Sequence, residues 1–146
     1  MTKVNFEKYD LQLSSVGDGK IIYDVIRRKN ILLTPEELVR QTLVHYLISN
    51  QQIGKSLIAV ERGLDMPQGK KRFDIVVFDR CGNPFLIVEC KSPDINIDMD
   101  TFLQGTNYNT ALKAKYLWLS NGKTNFFFRL NDLNLLDEIP ELANEL

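Results

Sequence analysis

The sequence predicts an α/β domain built on a central mixed sheet flanked by helices. Three observations carry that reading. A capped, amphipathic segment over residues 35–49 has helical spacing, and three β-type runs follow it at Leu57–Glu61, Phe73–Asp79 and Phe85–Lys91. A second helical stretch over about 100–113 then precedes two more apolar runs, giving the order α-β-β-β-α-β with a final strand added.

Each element has its own signal. Lys20–Ile26 reads as a strand after the turn Val16-Gly17-Asp18-Gly19, within an N-terminal extension of residues 1–33. Thr34-Pro35-Glu36-Glu37 opens the first helix: Thr34 caps, Pro35 takes the first helical position and Glu37 completes a capping box. Leu38, Val39, Leu43, Val44, Tyr46 and Leu47 form its apolar side, leaving Glu37, Arg40, Gln41 and His45 towards the other. The turn cluster Asp79-Arg80-Cys81-Gly82-Asn83-Pro84 makes an antiparallel hairpin of the runs around it. Tyr116–Ser120 and Asn125–Arg129 make a second hairpin across Asn121-Gly122. Residues 130–146 are expected to form an acidic terminal helix, closing a single domain over 1–146 whose core is 34–129.

Composition excludes several classes. With 146 residues, 44% hydrophobic and 25% charged, the chain can bury a core without disulfides or a structural metal. Its two cysteines, Cys81 and Cys90, and lone His45 offer no zinc-ligand spacing. No apolar signal segment or membrane-length run occurs, so a reduced, cytoplasmic setting is expected. The net charge of −1 is uneven: residues 130–146 hold five acids and no base, which leaves the remainder positive. Arg27-Arg28-Lys29 and Lys70-Lys71-Arg72 are the basic clusters; they permit a nucleic-acid partner, and two solvated turns explain them about as well.

Two apparent motifs fail. Gly54-Lys55-Ser56 resembles the end of a P-loop, but Ser49 stands where its first glycine is required and the helix precedes the strand, so no nucleotide is expected there. Asp94, Asn96, Asp98 and Asp100 mimic a calcium loop, yet Met99 replaces the turning glycine and Gly105 the bidentate glutamate. An acidic helix start accounts for them better. His45 reads as a helix-surface or half-buried residue, and Cys90 as core.

One constellation survives. Asp74 opens a strand, and Glu89-Cys90-Lys91 closes the strand paired with it. The hairpin therefore sets Asp74 opposite the Glu89 end, with Glu89 and Lys91 on one face. Two carboxylates at a strand end suit Mg²⁺ or Mn²⁺, with remaining positions left to water and substrate phosphate. A neighbouring lysine can position the attacking water. A surface ion-pair ladder is the rival; the continuously apolar run Phe85–Val88 leading into Glu89 weighs against it.

Asp74, fourteen residues, then Glu89-x-Lys91 resembles the signature of the PD-(D/E)XK nuclease superfamily. Thr34-Pro35-Glu36-Glu37-x-Val39-Arg40-Gln41, Arg72–Val77, Ile87–Pro93 and Gln104-x-x-x-Tyr108, in that order, are similar to the N-terminal nuclease domain of type I restriction enzyme R subunits. The resemblance spans about residues 20–125. It implies a restriction-endonuclease-like core and a Mg²⁺-dependent DNA endonuclease, Mn²⁺ substituting. Asp74 and Glu89 would bind the metal and Lys91 would help activate water. Glu37, preferred over Glu36, would join the metal site, although a helix cap alone explains it almost as well. Gln104 and Tyr108, on one helix face, would support cleavage. Arg40 could hold a carboxylate or a phosphate, and Arg27, Arg28, Lys70, Lys71 and Arg72 are candidate phosphate contacts.

Phe73 stands where the superfamily has its eponymous proline, a residue that shapes the bend. R subunits also carry a translocating ATPase motor, for which this chain shows no P-loop. A separate motor or specificity protein is therefore an expected partner besides DNA, and a homodimer would supply the two sites that double-strand cutting needs. The alternatives are a non-catalytic or partner-dependent DNA-binding and assembly module on the same fold, and a structure-specific repair nuclease.

Overall fold

The computed structural model describes residues 1–67, 69–100 and 113–146. Near the N-terminus a small antiparallel sheet joins β1 (Leu13–Val16), β2 (Gly19–Asp24) and β3 (Lys29–Leu32). The β1–β2 turn uses Gly17 at φ 59°, left-handed space that glycine enters without a Cβ clash. The expected strand over 20–26 is thus the middle of three, ending at Asp24 where the chain turns.

Helix α1 spans Pro35–Ser49, as its capping signals require. Thr34 is extended, and its Oγ1 accepts the Glu37 N–H at 3.0 Å. The second half of the expected capping box is not made: the Glu37 carboxylate is engaged by Arg27, Arg40 and Gln41 instead. The face of α1 expected to be polar and outward is also covered, since Glu37, Arg40 and Gln41 are all buried. The turn after β2 lays Arg27 across this face, replacing water with ion pairs.

A six-stranded sheet follows, with strands in chain order: β4 (Ile58–Met66), β5 (Gly69–Phe78), β6 (Pro84–Cys90), β7 (Tyr116–Ser120), β8 (Asn125–Arg129) and β9 (Asn134–Leu135). Every neighbouring pair is antiparallel except β6 and β7. A parallel pair requires a crossover, which residues 91–115 provide. The expected helix over 100–113 falls in that crossover, mostly outside the described residues. A mixed sheet packed by a helix therefore stands as the sequence indicated. The β7–β8 turn is tied by Asn121, whose Oδ1 accepts the N–H groups of Lys123 and Thr124.

One face of the sheet meets α1, where Leu43, Val44 and Leu47 pack with Ile75, Val77, Leu86, Val88 and Trp118. Trp118 is fully buried and donates its Nε1–H to Asn125 Oδ1 at 3.0 Å, so its one polar atom is satisfied. The other face gathers Phe73, Val76, Ile87, Ala114, Leu117 and Leu130.

The acidic terminal helix over 130–146 is not formed. Leu135 pairs with Phe128 in β9, Pro140 interrupts any helix there, and only a short 3₁₀ turn, Leu142–Glu145, follows. Leu142 is fully buried in the main core. The far edge of the sheet is held by Thr2, whose Oγ1 accepts the Phe127 N–H at 2.8 Å and donates to the Leu136 carbonyl at 2.7 Å. No helix among the described residues is long and apolar enough to cross a membrane.

Candidate active site

The site forms where β5 and β6 run side by side. Their register, Ile75↔Val88 and Val76↔Ile87, puts Asp74 opposite Glu89 at the end of the pairing. Asp74 Oδ2 accepts the Cys90 N–H at 2.8 Å, which fixes the carboxylate against β6. Ile75 and Val77 face α1 and Val76 faces away, yet Phe73 also lies with Val76. Two-residue alternation is thus broken at Asp74. On the neighbouring strand the register passes from Val60↔Ile75 to Arg62↔Phe73, leaving Glu61 unpaired with φ 52°. The β4–β5 pairing is interrupted where the carboxylate is needed, with Phe73 rather than proline beside it.

The two carboxyl groups share too little space for two full charges. Burial pushes Glu89 up, and its hydrogen bond and repulsion with Asp74 push it further, to about 8, despite the opposing pull of Lys71 and Lys91. Lys71 Nζ lies 3.8 Å from Glu89 Oε1. Lys91 follows β6 directly; its N–H donates to the Ser120 carbonyl at 2.9 Å while the side chain is exposed. Cys90 turns into the core, as expected.

Glu37 approaches this region from α1 but is held by other groups. Arg27 Nη2 donates to its Oε1 at 3.1 Å, Gln41 Nε2 to its Oε2 at 3.0 Å, and Arg40 Nε lies 3.4 Å away. Arg40 stands between Glu37 and the strand carboxylates, 3.2 Å from Glu61 and 3.7 Å from Asp74 Oδ1. Arg27 in turn joins Asp24 at 2.6 Å and Glu61 at 3.1 Å. Two guanidinium groups therefore bind four carboxylates from β2, α1, β4 and β5. Glu61 belongs to this network and had no motif to mark it in the sequence.

Among the described residues no three carboxylate, histidine or cysteine side chains converge to enclose an ion. The donor chemistry of the Asp74–Glu89 pair nevertheless fits a hard divalent cation. The pair sets two carboxyl groups opposite each other at the strand end, and Mg²⁺ takes one or two protein carboxylates and keeps water on its other positions. Arg27 and Arg40, two expected phosphate contacts, point inward onto carboxylates. Arg28 is exposed in the turn after β2. Lys70 and Arg72 are exposed on β5, whereas Lys71 is drawn to Glu89 and the Phe73 ring. Gln104 and Tyr108 lie outside the described residues. His45 is half-buried on α1, where burial lowers its pKa.

Residues 35–140 match the family described as the type I restriction enzyme R protein N terminus (HSDR_N). The chain belongs to that family. The match runs from the first residue of α1 past β9 and so takes in the whole Asp74–Glu89 region. The structure of this chain is also similar to that of a proposed nuclease of the DUF820 group from Anabaena variabilis. That likeness covers 91% of this chain and 88% of the other, with a TM-score of 0.52 at 16% identity, and establishes a shared restriction-endonuclease-like fold. No functionally curated protein matches in sequence.

Proposed function

We propose that this R-protein N-terminal domain is a Mg²⁺-dependent DNA endonuclease that hydrolyses backbone phosphodiesters. The observation that carries the reading is the Asp74–Glu89 pair, two carboxyl groups set together by the β5–β6 register at the cost of a raised Glu89. Asp74 and Glu89 would hold the ion, which when bound polarises the scissile phosphate and makes a bound water more acidic. Asp74 is kept in place by the Cys90 N–H and faced by Arg40. Lys91, beyond the end of β6, orients the attacking water and places positive charge beside the phosphate. Glu37 acts through Arg40 rather than as a direct ligand, since its carboxylate is already occupied by two arginines and Gln41. Gln104 and Tyr108 are proposed to support cleavage on the strength of the family motif. DNA delivery falls to a separate motor or specificity protein, and a homodimer would place two sites on a duplex.

The test is nicking of supercoiled plasmid with Mg²⁺, Mn²⁺ or EDTA by the wild type, Asp74→Ala and Lys91→Ala. Metal-dependent nicking by the wild type alone is the expected outcome. Equal inertness of all three, with no Asp74-dependent metal binding, would leave the DNA-binding assembly module as the better reading. One feature favours that second reading: Arg40 already places a cation against Asp74. Lys91→Ala protein that binds DNA yet fails to cut it excludes a purely structural module.

A further inference from the structure

The β4–β5 hairpin extends beyond the rest of the sheet. β6 pairs with β5 only from Ile75 to Phe78, so residues 62–66 and 69–73 form a two-stranded ribbon running on from the active-site end. Directly opposed residues share a face, which sorts the ribbon into Arg62, Phe73, Leu64 and Lys71 on one side and Gly63, Arg72, Asp65 and Lys70 on the other. The first side is turned to the protein: Phe73 is buried, Leu64 packs with it, and Lys71 lies 5.1 Å from the Phe73 ring centre. The second side is open, with Lys70 and Arg72 exposed.

On that open side an open concavity of about 580 Å³ is lined by Glu61, Arg62, Gly63, Lys70 and Arg72. Gly63 is its floor. A Cβ there would stand 2.9 Å from Lys70 Cδ and 3.1 Å from Cγ, so the lysine stem lies across the glycine and a methyl group would displace it. The φ of Gly63 is not left-handed, so its role is room rather than conformation. Glu61 contributes the one negative charge among the lining residues, and Arg27 and Arg40 hold it at 3.1 and 3.2 Å. Burial raises the Glu61 carboxyl, but Arg40, Arg27 and Arg72 together pull it below its ordinary value, so it remains charged and paired. Lys70 and Arg72 are left facing outward, while Arg62, from the protein-turned side, lays its guanidinium over the Phe78 ring at 5.5 Å.

We propose that this Gly63-floored concavity is a phosphate subsite, in which Lys70 and Arg72 take a backbone phosphate of the DNA strand flanking the scissile position. The inference rests on the nuclease reading and assigns it a substrate track. Arg72 lies two residues from Asp74 along β5, about 7 Å at strand rise. Successive phosphates of a DNA strand follow a helical path and lie farther apart than the axial rise of about 3.4 Å, so a phosphate next to the one at Asp74 and Glu89 falls over the ribbon. Phosphate contacts of this kind fix position and carry no sequence preference.

The experiment measures binding of a short DNA duplex with Ca²⁺ replacing Mg²⁺, over about 50 to 200 mM salt, for wild type, K70A, R72A, G63A and R80A. Arg80 lies in the β5–β6 turn, at the opposite end of the strands, and controls for loss of charge alone. K70A and R72A are each expected to weaken binding several-fold and to lower the salt slope by about 1. R80A should do neither. G63A leaves net charge unchanged and should still weaken binding, because the added methyl lifts Lys70 from its floor. G63A binding like wild type, or K70A and R72A binding like R80A, overturns the subsite. Plasmid nicking run in parallel separates the two levels: a wild type that nicks beside ribbon variants that bind normally refutes only the subsite. A wild type that neither binds nor nicks removes both readings.

Discussion

Asp74 and Glu89 make the folded protein sensitive to pH in a direction opposite to that of an ordinary surface carboxylate. Burial and then Asp74 raise Glu89 from 4.5 to about 8, so the fold favours its protonated form. That contribution is complete below the unfolded value near 4.5 and is lost as pH climbs through about 8. Metal-free wild type should therefore lose denaturant resistance between pH 5 and 8. Asp74→Asn removes the neighbouring charge and should flatten the loss, as read from urea midpoints across that range; an unchanged slope would show that desolvation alone sets the shift. The pairing of these two residues was legible in the sequence because a hairpin's register follows from its turn, and fourteen intervening residues centred on a turn leave little choice. The interrupted pairing at Asp74 was not legible, since it involves Glu61, which adopts φ 52° on a different strand.

At the scale of elements, the ion network decides how α1 sits. Arg27 links the β2 turn to α1 and β4 through Asp24, Glu37 and Glu61. Asp24 is fully buried; burial pulls its pKa up, but hydrogen bonds from the Arg27 and Ile26 N–H groups and the Arg27 side chain bring it below its ordinary value. Its stabilising contribution is present above the unfolded value of 3.8 and disappears as pH falls through the lower folded value. Arg27→Met should cost about 2 to 3 kcal/mol and move acid unfolding to higher pH, while Arg28→Met, in the same turn but exposed, should do neither. Chemical denaturation at pH 7 and pH 4 checks both. Helix α1 itself was readable to the residue from Thr34 and Pro35, because caps are local. Its buried polar face was not, because the covering arginine is ten residues away and arrives only when the N-terminal sheet docks. The same limitation hid the ribbon: Arg62, Gly63 and Asp65 have the composition of a loop, and only long pairing with β5 makes a strand of them.

For the whole molecule, the succession of one helix, an antiparallel hairpin, a crossover and a second hairpin followed from hydrophobic runs and turn residues, and it suffices for the restriction-endonuclease-like fold. The terminal segment was misread because leucines spaced among acids suggest a helix, whereas Leu135 found a strand partner and Pro140 intervened. Thr2 then matters beyond its size. Its hydroxyl joins the Phe127 N–H to the Leu136 carbonyl, contacts more than a hundred residues away in the chain. Thr2→Val, nearly the same shape, should leave two polar groups unanswered at a cost of about 1 to 3 kcal/mol, measurable as a lowered Tm. A sheet that ends in an open strand is a template for another molecule's strand. Here β9 is two residues long and the hydroxyl of Thr2 closes the ladder beside it, so this margin offers little for a foreign strand to copy. Growth by edge-to-edge addition is thereby discouraged on the β9 side of the sheet, the border opposite β4.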